Sequence, residues 1–141
     1  MAKEIEFLVD TNVWLERLLE QEKSDEVKRF LDEVSPDVLF ISDFSVHSIA
    51  IIMSNLEKYD DYFIFIDDLF INAEMIQLEL APEETKEVFE KIKESNLDFD
   101  DAYQYYIGQK YNLKIVTFDQ DFKKSGIPTY EPKEALSLIK P

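Results

Sequence analysis

Cysteine is absent from all 141 residues, and histidine occurs once, at position 47. Disulfides, thiolate-bound metals and the paired histidines of common zinc sites are therefore excluded. Glycine is nearly absent as well: Gly108 and Gly126 are the only two, too few for a phosphate-cradling loop of the Walker or dinucleotide-binding type. Nucleotide cofactors are not expected. No apolar run approaches the roughly 20 residues of a membrane helix. The N-terminus interleaves Lys3, Glu4 and Glu6 with apolar residues, unlike the uninterrupted apolar stretch of a signal peptide. A soluble, cytoplasmic protein without membrane contact is the expectation.

Positive charge is also scarce. Lys and Arg number 15 against 31 Asp and Glu, giving a formal net charge of −16. Affinity for nucleic acid normally comes from basic side chains that neutralise phosphates, so this balance opposes an RNA ligand unless a metal ion or a basic partner supplies charge. Most of the acids belong, on this reading, to solvated helix faces that aid solubility.

What is present is enough apolar material, 45% of residues, for one sizeable core, and a single domain over residues 1–141 is expected. Strands are predicted at Ile5–Val9, Val38–Ile41, Met75–Leu80, Lys114–Thr117 and Ile127–Tyr130, from short apolar runs that end in polar turns. Helical spacing fills the intervals. Apolar residues recur at three and four from Val13 to Leu19, from Val27 to Val34 and from Asp43 to Leu56. A further face combines Tyr59, Tyr62, Phe63, Ile66, Leu69 and Phe70, with Phe65 off the stripe. Pro82 and Pro132 open later helices, each with acids in the first turn, and another helix covers Asp98–Tyr111. Strands alternating with helices give an α/β fold with a parallel sheet covered on both faces.

Three acids acquire meaning from this order. Asp10 directly follows the first strand, and Asp119 follows the fourth by a short turn, so both fall at carboxyl ends of strands. Ligands bind at that edge of open α/β sheets. Asp101 opens the helix before the fourth strand and can approach the same edge. Carboxylates gathered so closely repel one another, and a hard divalent cation is their natural counter-charge. Oxygen-only donors select Mg²⁺ or Mn²⁺ rather than zinc. Each acid also has a plainer reading. Asp10 can cap the following helix, Asp101 can interact with a helix dipole among Asp98 and Asp100, and Asp119 and Asp121 can form a turn.

The run Phe7-Leu8-Val9-Asp10-Thr11-Asn12-Val13 resembles the opening strand and acid of PIN domains. Leu97-Asp98-Phe99-Asp100-Asp101-Ala102 and Ile115-Val116-Thr117-Phe118-Asp119-Gln120-Asp121-Phe122 resemble their closing motifs, and the likeness spans essentially the whole chain. The resemblance implies a Rossmann-like α/β/α sandwich with about five parallel strands. It also implies Mg²⁺- or Mn²⁺-dependent RNA cleavage, often as a toxin with a cognate antitoxin, and homodimers formed through the aromatic helix region. It assigns metal ligation to Asp10, Asp101 and Asp119, with Asp121 in reserve. Asn12 and Thr117 would orient ligands or water from behind.

One position departs from the family. PIN nucleases usually carry a glutamate in the helix after the second strand, where this chain has Ser48, or His47 if the register slips by one. His47 could supply a ligand or a proton instead, or be a structural residue, and Asp43 one turn earlier could compensate. Two functions follow as expectations: a metal-dependent ribonuclease, or a degenerate PIN domain serving as a binding or assembly module. Lys110, Lys114, Lys123 and Lys124 are expected to flank the site and offset the bulk charge. An aspartyl-phosphate phosphatase is disfavoured, because those enzymes carry a second aspartate where Asn12 stands.

Overall fold

The first strand carries alternate side chains to opposite faces, Phe7 and Val9 into one apolar cluster and Leu8 into the other, so three residues anchor both halves of the core. The computed structural model describes residues 4–139. Residues 1–3, including Lys3, and 140–141, the outer ends of the expected domain, lie outside the described residues.

Four parallel strands form the sheet: β1 (Phe7–Val9), β2 (Leu39–Ser42), β3 (Ile76–Leu78) and β4 (Lys114–Val116), in spatial order β3-β2-β1-β4. Helices α1 (Thr11–Leu18), α2 (Ser24–Glu33), α3 (Asp43–Asn55), α4 (Tyr59–Ile66) and α8 (Pro132–Ile139) contribute to the cluster around Phe7. Helices α5 (Thr85–Glu94), α6 (Phe99–Tyr111) and α7 (Asp121–Lys124) contribute to the cluster around Leu8. The result is a three-layer α/β/α sandwich. Sequence order runs outward from β1 to β3 and then returns to the other side of β1 at β4, so the crevice between the ends of β1 and β4 is the topological switch point.

The sheet has four strands among the described residues, where about five were expected. Ile127–Tyr130 contributes a single parallel bridge between Tyr130 and Val116. Pro128 has no N–H to donate, which shortens the ladder to the bonds around Tyr130.

The expected α4 face packs on the core at Tyr62, Ile66, Leu69 and Phe70 and differs from expectation at three residues. Phe65 is the buried residue, packed edge-on to Trp14 at 5.7 Å between ring centroids, whereas Tyr59 and Phe63 are exposed. Helix α4 is apolar on most of its circumference, so spacing alone allows two overlapping stripes, and Trp14 selects the one centred on Phe65. The helix runs on into a π-helical stretch, Asp67–Asn72. Among the described residues, no helix is long and apolar enough to cross a membrane.

Candidate functional site

At the switch point, Asp10 caps α1 from the end of β1, and its backbone N–H donates to Val116 of β4. Its carboxylate is surrounded by donors. Oδ1 accepts from Thr11 N and from Gln104 Nε2, both at 2.8 Å. Oδ2 accepts from the Thr117 hydroxyl at 2.8 Å and from Asn12 Nδ2 at a long 3.4 Å. Burial pushes the Asp10 pKa up, while the hydrogen bonds from Gln104, Thr117 and Thr11 pull the other way.

Asn12 ties the two strand ends together. Its Nδ2 donates to Thr117 Oγ1 at 3.1 Å and its Oδ1 accepts from Phe118 N at 3.1 Å. Thr117 Oγ1 in turn accepts from Asp119 N at 3.0 Å, which fixes the turn after β4. Asp121 N donates to Asp119 Oδ1 at 2.8 Å, folding Asp121 back beside Asp119. Asp98 caps α6 by accepting from Asp101 N at 3.1 Å, and so sets the first turn from which Asp101 projects.

Asp101, Asp119 and Asp121 each present a carboxylate oxygen within 4.8 Å of the others. Asp10 and Asp101 both line one cleft of about 300 Å³, together with Asn12, Ser48, Gln104 and Asp119. The Asp101 pKa is raised to about 8, first by burial and then by the negative charges of Asp119, Asp98 and Asp10. Burial and these neighbouring charges favour the protonated form of Asp101 when no cation is bound. Asp100, also on the cleft, is raised by burial and by Asp98.

This donor set suits a hard divalent cation. Oxygens about 2.1 Å from a Mg²⁺ ion lie at most roughly 4.2 Å apart, a span comparable with the upper bound on the separations within the acidic trio. Asp101, Asp119 and Asp121 form the tighter group, with Asp10 beside it. The physical reason is that three short hydrogen bonds hold the Asp10 carboxylate in place beside the trio, while the Asp119–Asp121 turn brings a third acid forward.

The position of the family glutamate falls on the cleft through Ser48, whereas His47 is exposed and is not among the residues lining it. Asp43 does not line the cleft either; its Oδ1 accepts from the Tyr103 hydroxyl at 2.8 Å and from Phe44 N at 2.8 Å. Of the expected lysines, Lys124 flanks the acidic trio through Asp121, and the other three are engaged elsewhere. Lys110 pairs with Glu84, Lys123 with Glu134 and Lys124 with Asp121, and Lys114 lies over the Tyr130 ring at the amino end of β4. No lysine or arginine lines the cleft among the described residues.

Gln104 and Ser45 belong to the site without having been anticipated. Gln104 is 1% exposed and Ser45 fully buried, and Gln104 Nε2 donates to Ser45 Oγ at 2.9 Å. The signal was available: Gln104 stands three residues after Asp101 on one helix face, and Ser45 three after Ser42, which caps α3.

Known proteins share this fold. The fold is shared with VapC20 of Mycobacterium tuberculosis, described as a sarcin-ricin loop cleaving toxin, at a TM-score of 0.74 and 16% identity, covering 89% of this chain and 99% of that one. A toxin–antitoxin complex from Klebsiella pneumoniae matches at 0.68 and 22% identity, over 89% of this chain and 98% of that one. FitAcB from Neisseria gonorrhoeae matches at 0.67 and 19% identity, over 90% and 98%. No curated protein matches the chain in sequence. The PIN domain model matches residues 7–127, from the first strand through the turn beyond Asp121, and the chain belongs to the PIN domain family.

Proposed function

We propose that the protein is a metal-dependent endoribonuclease of the toxin type, with Asp101, Asp119, Asp10 and Asp121 as its metal-holding acids. The observation that carries this reading is geometric: Asp101, Asp119 and Asp121 bring carboxylate oxygens within 4.8 Å of one another, and Asp101 and Asp119 share one cleft with Asp10. A divalent cation, Mg²⁺ or Mn²⁺, would supply Lewis acidity toward a phosphodiester when bound. Asp101, Asp119 and Asp10 would hold it in the cleft, and Asp121 would reach it from beside Asp119. Asn12 and Thr117 would fix the direction of Asp10, and Asp101 would give up its proton as the cation arrives. Hydrolysis by water would leave a 5′-phosphate.

One structure of the same fold is a toxin–antitoxin complex, which supports an antitoxin partner here. The exposed apolar residues Ile51, Leu56, Tyr59 and Phe63 on α3, α4 and their connection support a homodimer, and a cytoplasmic location fits that partnership.

A second reading, a degenerate PIN domain acting as a binding or assembly module, is favoured by one observation. Ser48 brings no carboxylate to the cleft where the family has glutamate, and no basic side chain there receives a phosphate.

Incubation of purified protein with single-stranded RNA and Mn²⁺ separates the two. The nuclease reading predicts cleavage that chelator stops and Mn²⁺ restores, with 5′-phosphate ends. Absence of cleavage across RNA substrates with either metal selects the binding module.

A further inference from the structure

Gln104 joins three elements that sequence keeps far apart. Its amide nitrogen has two hydrogens and uses both, one to Asp10 Oδ1 at 2.8 Å and one to Ser45 Oγ at 2.9 Å. Ser45 Oγ also accepts from the Ser42 hydroxyl at 3.2 Å, so its own hydrogen goes to Thr11 Oγ1 at 2.8 Å. Thr11 N closes the circuit on Asp10 Oδ1 at 2.8 Å. Asp10, Gln104, Ser45 and Thr11 thus form a closed ring of hydrogen bonds linking the end of β1 and the starts of α1 and α3 to α6.

The ring fixes which way round the amide sits. Reversing it would set a carbonyl against the Asp10 carboxylate, so Nε2 must face Asp10. The other end, Gln104 Oε1, is buried with no hydrogen-bond partner among the described residues. A buried acceptor without a donor weakens a fold, so an amide placed only for stability would use both ends. The nitrogen alone accounts for the residue.

The consequence falls on Asp10. Both accepting directions of Oδ1 are filled, by Thr11 N and by Gln104. Oδ2 has one short bond, from Thr117, and only a 3.4 Å contact from Asn12, so it is the oxygen with accepting capacity to spare. We propose that Gln104 is a positioning residue that pins Asp10 Oδ1 against α6 and thereby leaves Oδ2 as the oxygen available to a divalent cation in the cleft. The role rests on the reading of the cleft as a cation site.

Gln104→Met and Gln104→Leu keep the bulk of the side chain and remove the donor. Calorimetric titration of the metal-free proteins with Mn²⁺, beside thermal melting without metal, tests the role. The expected result is Mn²⁺ affinity weakened by about ten-fold or more in both variants, the range seen when groups behind metal ligands are removed. Melting temperatures fall only modestly, because Asp10 and Ser45 each lose one donor, and excess Mn²⁺ restores occupancy. Wild-type binding with equal affinity in both variants overturns the Gln104 role alone. A large fall in melting temperature with unchanged affinity of the folded protein marks a merely structural residue and overturns it too. Wild type that takes up no Mn²⁺ overturns the cation reading itself.

Discussion

The Thr117 hydroxyl donates to Asp10 Oδ2 at 2.8 Å across a separation of 107 residues, joining the ends of β1 and β4 through one buried bond. Thr117 Oγ1 also accepts from Asn12 Nδ2 and Asp119 N, so this hydroxyl fills one donor and two acceptor positions. Thr117→Val keeps the shape and leaves all three partners short. We expect a loss of about 1–3 kcal/mol in urea unfolding of the metal-free protein, the usual range for stranding buried polar groups. Mn²⁺ affinity is expected to fall in parallel.

Asp101 makes metal-free stability depend on pH in an unusual direction. Its pKa is raised from 3.8 unfolded to about 8 folded, so the native state binds the extra proton between those values. Stability from this group is fully present below the unfolded value and is lost as pH rises through about 8. The metal-free melting temperature should fall from pH 6 to pH 9. In Asp101→Asn that decline should flatten. Mn²⁺ should bind more tightly as pH rises over the same window, because it displaces the proton. Equal pH profiles for wild type and Asp101→Asn would remove Asp101 as the source.

Ser48 and His47 are neighbours in sequence with opposite placement, one lining the cleft and the other exposed. His47→Ala should leave Mn²⁺ binding and any RNA cleavage within about two-fold of wild type, as surface changes generally do. Ser48→Glu adds a carboxylate to the cleft, and tighter Mn²⁺ binding is expected from calorimetry. Cleavage gained only by Ser48→Glu would identify the natural chain as the degenerate form.

Helix α4 offers two phenylalanines with opposite roles. Phe65→Ala removes a ring packed on Trp14 and should destabilise the protein by about 3–5 kcal/mol. Phe63 is 59% exposed, and Phe63→Ser should leave unfolding nearly unchanged while shifting the mass seen by light scattering from dimer to monomer. A wild type that is monomeric at all concentrations would contradict the dimer.

Much of this arrangement was legible in the chain itself. Asp10 and Asp119 end apolar runs, and strands that alternate with helices carry such ends to one edge, so the acids could be located without coordinates. The face of α4 could not, since a helix apolar nearly all round gives spacing no preference until Trp14 supplies a partner. The four lysines look local in sequence, yet Lys114 sits at the amino end of its strand, opposite Asp119, Lys110 and Lys123 pair with glutamates elsewhere, and Lys124 is the one of the four that reaches a site acid, Asp121. Gln104 escaped notice because a lone glutamine in a polar helix reads as surface; only the approach of α6 to Ser45 and Asp10 shows that it is buried.

The central claim is that the acidic cleft cuts RNA with a divalent metal. Its most direct test is cleavage of single-stranded RNA in Mn²⁺ by wild type and Asp101→Asn, purified side by side at equal concentration. The account predicts cleavage by wild type that falls by at least about a hundred-fold in Asp101→Asn, the scale expected when a buried charged group that stabilises a transition state is removed. Equal cleavage by the two proteins would contradict it.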